Sequence, residues 1–160
     1  MHRTGIGYDS HRFVEGGPLR LGGIDIPSTI KCIGHSDADA VCHALTDAVL
    51  GAAGAGDIGA MFPDTDPANK GRDSIEMLSA AVERLHGMGW HVNQVDVTVI
   101  CERPKIGPHR DAMCERLARA LRVLPGHVSV KGKTNEGMGF TGRGEGIAVI
   151  AVATIAPRGQ

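Results

Sequence analysis

Gly146-Ile147-Ala148-Val149-Ile150-Ala151-Val152-Ala153-Thr154-Ile155-Ala156 is the longest strongly apolar run in this chain of 160 residues. It falls far short of the ~20 residues a membrane-spanning helix needs. Its wealth of Val and Ile reads instead as a strand over residues 147–155. Upstream, Val95, Val97 and Val99 alternate with polar residues and mark a half-buried strand. A helix is predicted between the two, about His109 to Arg122, with Met113, Leu117, Leu121 and Leu124 on its buried side. Val128 and Val130 then open another strand. Towards the N-terminus, residues 3–11 read as a strand ending in Tyr8-Asp9-Ser10-His11. Leu19–Leu21 and Ile24–Ile26 flank Gly22-Gly23, a two-residue hairpin signal. Val41, Leu45, Ala48, Val49 and Ala52 give a first helix one apolar face. Ser36 or Asp37 is its expected N-cap, and Gly54 and Gly56 end it. A second helix is expected from about Asp73 to Met88. Strands and helices thus mix in one unit. The expectation is an α+β fold, an α/β sandwich: a four-stranded mixed sheet with helices on one face, plus a short hairpin, forming a single domain over residues 1–160.

Composition narrows the function. Lys plus Arg is 17, Asp plus Glu is 18, and the net charge is −1. Without a basic excess, a large nucleic-acid footprint is not expected. The few aromatics (Tyr8, Phe13, Phe62, Trp90, Phe140) argue against a platform for stacking single strands. The N-terminus leads into no apolar signal-peptide core, so a cytoplasmic protein is the expectation. Cys32, Cys42, Cys101 and Cys114 are scattered, form no C-x-x-C pair, and read as buried reduced thiols. Gly, at 23 residues, is about twice its usual share.

Four segments can carry chemistry. Residues two apart on a strand share a face, so Asp9 and His11 can aim at one point. His43 lies one turn into the first helix, with Asp39 four residues earlier, placed to orient its imidazole. Together Asp9, His11 and His43 would make a two-His, one-carboxylate set. Zinc with three protein ligands keeps an open catalytic position, and the same triad suits non-haem iron. On spacing alone the ordinary alternative stands beside it: His11 ends a strand, Asp9 caps a turn, and His43 is a hydrogen-bonded helix residue. In the loop over residues 131–146, glycines let backbone approach a ligand. There Lys133, Thr134 and Arg143 can meet phosphate oxygens, and Glu136 offers a hard oxygen to Mg²⁺. The plain alternative is a surface turn of alternating charge. Cys101-Glu102-Arg103-Pro104-Lys105-Ile106-Gly107-Pro108 is stiffened by proline and can read a base edge, or simply connect a strand to a helix. Asp57, Asp64 and Asp66 are turn carboxylates, of which Asp57 can hold sugar hydroxyls.

Taken together, four motifs recur in this order in one family. They are Gly7-Tyr8-Asp9-Ser10-His11; His35-Ser36-Asp37-Ala38-Asp39 with His43; Gly56-Asp57-Ile58-Gly59 leading to Phe62-Pro63-Asp64-Thr65-Asp66; and Gly139-Phe140-Thr141-Gly142-Arg143-Gly144-Glu145-Gly146. Over essentially its full length the chain resembles the 2-C-methyl-D-erythritol 2,4-cyclodiphosphate synthase family of non-mevalonate isoprenoid biosynthesis. The resemblance implies a phosphorus–oxygen lyase. Its substrate would be 4-diphosphocytidyl-2-C-methyl-D-erythritol 2-phosphate, whose 2-phosphate attacks the β-phosphorus and releases CMP. Asp9, His11 and His43 match the family's zinc ligands, and Glu136 matches the residue associated with a second ion, Mg²⁺ or Mn²⁺. His35 and Thr134 match positions that hold the phosphates and stabilise the transition state, with Ser36 in the same contact. Asp57, Ile58 and Gly59 match the ribose turn. Phe62, Pro63, Asp64, Thr65 and Asp66 match the wall around the erythritol. Cys101, Glu102, Arg103, Pro104, Lys105, Ile106 and Gly107 match the cytidine pocket. Lys133, Asn135, Phe140 and Arg143 match further substrate-side positions.

The family's homotrimers, with active sites between subunits, imply the same assembly here. Arg143 and Glu145 match residues lining a central trimer cavity that in some members holds an isoprenoid diphosphate. Tyr8 stands where Phe is common, which bears on that cavity ligand. Gly132 stands where Ala is common, a difference expected not to matter. Some relatives are fused to the preceding cytidylyltransferase, for which 160 residues leave no room. Two rival functions remain: a zinc-dependent phosphohydrolase that activates water, and a non-catalytic module binding a nucleotide or isoprenoid diphosphate.

Overall fold

A computed structural model describes residues 1–159. The apolar run that ends the chain is β7 (Gly146–Pro157), and it lies at the centre of the main sheet. On one side it pairs antiparallel with β1 (Arg3–Glu15), from Arg3 opposite Ile155 to Arg12 opposite Gly146. On the other it pairs antiparallel with β5 (Trp90–Ile100). β5 pairs parallel with β6 (Val128–Lys133). That pairing requires a crossover, which α4 (Arg110–Leu121) supplies.

The sheet has five strands, not the four expected. β4 (Ile30–Cys32) adds to the outer edge of β1, with Phe13 opposite Cys32 and Glu15 opposite Ile30. Three residues are too few for a readable alternation, and β1 runs four residues beyond His11 to meet them. The predicted hairpin is present as β2 (Leu19–Leu21) and β3 (Ile24–Ile26). Gly22 and Gly23 both take positive φ, 61° and 76°, as a tight two-residue turn of this hand requires.

The helices α1 (Ala40–Ala53), α3 (Ser74–Gly87) and α4 pack on one face of the sheet. Leu45, Leu78, Leu85, Met113, Leu117 and Leu121 meet Val97, Val99, Val149, Ala151 and Ile155 in one buried core. All four cysteines are free, and burial pushes the Cys32 thiol up to about 12 and that of Cys101 to about 11. Among the described residues no helix is long and apolar enough to cross a membrane.

The cap of α1 departs from expectation. Its N-cap is Asp39, whose side chain accepts from Cys42 N–H at 3.1 Å. The same carboxylate accepts from Gly22 N–H at 2.9 Å and Gly23 N–H at 2.7 Å. Asp39 is fully buried, so these three donors replace its water shell. It therefore ties the hairpin to the helix and is not the group that orients His43. Asp37 cannot be the cap, because its carboxylate accepts from Asp39 N–H and from Ser74.

β1 crosses α1 at backbone contact distance. A Cβ on Gly7 would lie 1.8 Å from the Ala44 carbonyl oxygen, and one on Gly5 would lie 2.1 Å from that of Ala48. Only hydrogen fits on either strand residue. We expect Gly7→Ala to destabilise the fold by about 3 kcal/mol or more in chemical denaturation, at or above the usual cost of overpacking, because backbone rather than a flexible side chain must yield. Retained stability would show that the strand and helix have room to separate.

Candidate active site

The Gly7 crossing decides where β1 and α1 present their polar residues. Two residues beyond Gly7, Asp9 points to the same side of the sheet as the helix, and so does His11. His43 sits one residue before the Ala44 carbonyl that Gly7 approaches. The three side chains converge. Asp9 Oδ2 lies 2.8 Å from His11 Nε2 and 3.1 Å from His43 Nδ1, and the two ring nitrogens are 3.2 Å apart. A tetrahedral ion with ligand bonds of about 2.0–2.1 Å spaces its ligands by about 3.3 Å, so the triangle has the size such an ion needs. His11 donates its Nδ1–H to the Ile33 carbonyl at 2.9 Å, leaving Nε2 as a bare lone pair facing the other two. The donor set, one carboxylate and two imidazoles, thus fits a divalent metal. Of the described residues, these three are the ones that gather as a possible metal site.

Electrostatics agree with the geometry. Burial pushes the Asp9 carboxyl up, but hydrogen bonds and charge from His11 and His43 outweigh it and hold it below the ordinary value. Burial pushes the His11 imidazole down, and its contact with Asp9 outweighs that, leaving it above the ordinary value.

The cleft beside the triad, about 240 Å³, is lined by His11, His35, Ser36, His43, Ile58, Gly59, Phe62 and Asp64, all expected, and by Asn69 and Met77, which were not. Asp57 caps the single turn α2 (Ile58–Met61) by accepting from Ala60 N–H at 2.8 Å. Asp47, one helical turn beyond His43, accepts from Ile58 N–H at 2.7 Å and anchors that turn to α1. Asp66 caps the turn Pro67–Asn69, and Pro63, Thr65 and Asp66 are exposed. Buried Asn69 donates to the Pro63 carbonyl at 2.9 Å and accepts from Arg72, whose guanidinium lies 4.9 Å over the Phe62 ring.

A second cleft, about 470 Å³, lies apart from the first and is lined by Cys101, Glu102, Pro104, Lys105, Ile106 and Gly107 with Lys133 and Thr134. Arg103 lines a separate depression with Glu15 and Thr29. Phe140 reaches a further hollow beside His11, and Arg143 is paired with Glu145 at 3.1 Å. Asn135 donates to the Met138 carbonyl at 2.9 Å. Exposed Glu136 takes a left-handed φ of 52° and belongs to no potential metal cluster among the described residues. One chain therefore gathers the triad with His35, Ser36, Ile58, Gly59, Phe62 and Asp64, and keeps Cys101, Glu102, Pro104 and Lys105 with Lys133 and Thr134 at a separate cleft. Gly132 packs closely on Ile106 beside this second cleft, where an added Cβ would stand 2.9 Å from the Ile106 Cβ.

The sequence motifs alone do not point to Asp47, Asn69, Met77 or Ser74, whose Oγ lies 2.8 Å from His43 Nε2. Asp47 had a usable signal, since it follows His43 by four residues on the same helix face. Asn69 and Ser74 had none, because each acts across a loop.

Metal ligation needs both imidazoles neutral, and the raised pKa of His11 lets protons compete from a higher pH than for free imidazole. Chelator competition between about pH 6 and 8 should therefore show zinc affinity rising with pH through the His11 titration. The stability of the metal-free chain should instead fall as pH rises over that range. A raised native pKa contributes stability present at low pH and lost as pH rises through that pKa. A pH-independent affinity would remove His11 from the ligand set.

The YgbB family model matches residues 2–156. A 2-C-methyl-D-erythritol 2,4-cyclodiphosphate synthase from Gemmatimonas aurantiaca is 70% identical over 153 residues, covering 96% of this chain and 92% of the relative. The solved CDP-bound form of a 2C-methyl-D-erythritol-2,4-cyclodiphosphate synthase superposes with a TM-score of 0.89 at 41% identity, covering 96% of this chain and all of that one. The bifunctional IspDF from Campylobacter jejuni superposes with a TM-score of 0.94 at 39% identity, where this chain, matched over 98% of its length, spans 42% of the larger protein. With a family model matching nearly end to end and a relative at this identity, the chain belongs to the YgbB family, whose curated members are named as 2-C-methyl-D-erythritol 2,4-cyclodiphosphate synthases.

Proposed function

We propose that this chain catalyses the reaction for which its relatives are named, as a single unit over residues 1–160. The substrate is 4-diphosphocytidyl-2-C-methyl-D-erythritol 2-phosphate. An oxygen of the 2-phosphate attacks the β-phosphorus, the bond between that phosphorus and the oxygen bridging to the α-phosphate breaks, and CMP leaves as the cyclic diphosphate closes. The observation that carries this reading is the convergence of Asp9, His11 and His43 at the edge of a cleft that His11 and His43 line together with His35, Ser36 and Asp64.

The chemistry asks for little else. A phosphate oxygen is already an anion at neutral pH, so no general base is needed. Two phosphate groups repel each other, and the barrier falls when they are held close and their charge is offset. Asp9, His11 and His43 would hold zinc or another divalent transition metal, and Glu136 a Mg²⁺ or Mn²⁺ ion. When bound, such ions supply Lewis-acid stabilisation to phosphoryl oxygens. His35 and Thr134 position the phosphates and stabilise the transition state, and Lys133 adds a positive charge. Ser36 donates its hydroxyl to the substrate phosphate. Asp57, Ile58 and Gly59 take the ribose, Phe62 through Asp66 wall the erythritol, and Cys101 through Gly107 take the cytosine. Asn135, Phe140 and Arg143 complete the substrate side.

A homotrimer with active sites between subunits fits two features. The triad cleft and the base-side cleft are separate in one chain. The sheet face opposite the helices also exposes Ile6 (69%), Tyr8 (56%) and Ile150 (38%), with Tyr8 directly opposite Ile150 in register. Such an apolar face suits burial against other copies. Arg143 and Glu145 would then line the central cavity.

The metal-loaded protein should release CMP from the cytidyl substrate and yield the cyclic diphosphate, as read by phosphorus NMR, and chelation should stop it. His43→Ala should cost at least about 10²-fold in kcat. A linear diphosphate product would favour phosphohydrolase chemistry, and CMP binding without turnover would make the chain a binding module.

A further inference from the structure

The side of His43 facing away from the triad is unusually well furnished. Its Nε2 lies 2.8 Å from Ser74 Oγ and 2.9 Å from Ser36 Oγ. One ring proton thus has two hydroxyl partners. The two serines differ in what lies behind them. Ser74, fully buried at the start of α3, donates its hydroxyl to Asp37 Oδ1, and its backbone N–H donates to Asp37 Oδ2 at 3.0 Å. With its proton committed to a carboxylate, Ser74 Oγ can only accept from the imidazole. Asp37 is itself fixed, since Oδ1 also accepts from Asp39 N–H at 3.1 Å and the Arg20 guanidinium lies 3.9 Å from Oδ2. Ser36 has no such anchor. Among the described residues its only other side-chain hydrogen-bond partner is Ser74 Oγ at a long 3.5 Å, and it lines the cleft.

We propose that Ser74, held by Asp37, is the positioning residue that orients His43, and that Ser36 is thereby free to serve the substrate. This inference deepens the metal-site reading above and rests on it. An imidazole that donates Nε2–H to Ser74 must present Nδ1 as a lone pair towards Asp9 and His11. The arrangement also answers a conflict in the site. Ser36 cannot hold the ring and turn to a phosphate at once, whereas Ser74, buried behind the ring, keeps the tautomer when Ser36 turns away. The left-handed φ of 57° at Ala38 belongs to the same device. It lies between two carboxylates that serve different elements, Asp37 bonded to Ser74 and Asp39 to the hairpin. A non-glycine residue held there is costly, and such strain is kept where neighbours determine it.

Zinc itself is the probe. Chelator competition on the full chain should show Ser74→Ala binding zinc 10–100-fold more weakly than wild type, the usual cost of losing a partner behind a metal-bound histidine. Ser36→Ala should bind zinc like wild type and show a raised KM. Asp37→Asn, which keeps an acceptor for Ser74 but not the charge, should fall between. Nitrogen-15 spectra of the zinc-loaded chain should show the His43 ring proton on Nε2, retained in Ser36→Ala and lost to solvent exchange in Ser74→Ala. Saturating zinc should recover activity in Ser74→Ala and leave the KM defect of Ser36→Ala. Unchanged zinc affinity in Ser74→Ala overturns the proposal, as does an equal loss in Ser36→Ala. If Ser74→Ala does not fold, Asp37→Asn decides, and wild-type zinc affinity there overturns it. A wild-type chain that binds no zinc refutes the metal site itself, an outcome distinct from failure of the Ser74 role.

Discussion

The approach of β1 to α1 governs the rest of the molecule. A strand normally packs on a helix through side chains that keep the backbones apart. Here Gly5 and Gly7 face the carbonyls of Ala48 and Ala44, and a single carbon on either glycine would overlap the helix backbone. The small-residue spacing on both partners, every second residue in the strand and every fourth in the helix, is what two flush surfaces require. The consequence is chemical. Asp9 and His11 continue the strand beyond the contact, and His43 precedes Ala44 in the helix, so the crossing brings three ligand-type side chains within about a van der Waals contact of each other. The convergence of Asp9, His11 and His43 is a by-product of how closely backbone meets backbone.

Around this crossing the segment from His35 to Asp39 works as a junction. Asp39 turns inward to cap α1 and hold the hairpin turn through Gly22 and Gly23. Asp37 turns to the start of α3 and holds Ser74. Two aspartates two residues apart thus brace the hairpin and α3 against the helix that carries His43. A buried carboxylate is costly unless hydrogen-bonded; buried Asp39 accepts from three N–H groups, and half-buried Asp37 accepts from Asp39 and Ser74. The cleft beyond is shaped in the same manner, with Asp47 and Asp57 fixing the turn at Ile58 and Asn69 fixing the loop at Pro63.

Much of this was legible in the sequence, for reasons that differ by residue. The long strands and helices showed through periodicity, because one face of each is buried in a common core. Gly22-Gly23 showed because few residue types accept its backbone angles. The triad showed only once motif order was added to spacing, since two histidines and an aspartate scattered over residues 9–43 are ambiguous on local grounds. β4 did not show, because three residues carry no period. The helix cap, expected at Ser36 or Asp37, lies at Asp39, because all three residues are competent caps and tertiary bonds to Ser74 and the hairpin decide among them. Asp39 was misread as the group behind His43 for a related reason: helical spacing puts it on the right face, but the hairpin claims it first. The partner that lies there, Ser74, comes from a helix beginning over thirty residues later.

Family membership, the flush strand–helix crossing and the separation of the two clefts support the arrangement proposed above, in which β1 and α1 would hold a divalent ion at a cleft completed by a second copy. Anomalous diffraction at the zinc edge from crystals grown with zinc and CDP tests this most directly. The account predicts one strong peak per chain, bonded by Asp9, His11 and His43 with a position left open, and a nucleotide whose base rests on Cys101 through Gly107 of a neighbouring copy. A peak elsewhere, a fourth protein ligand closing the site, or a nucleotide held wholly within one chain would contradict it.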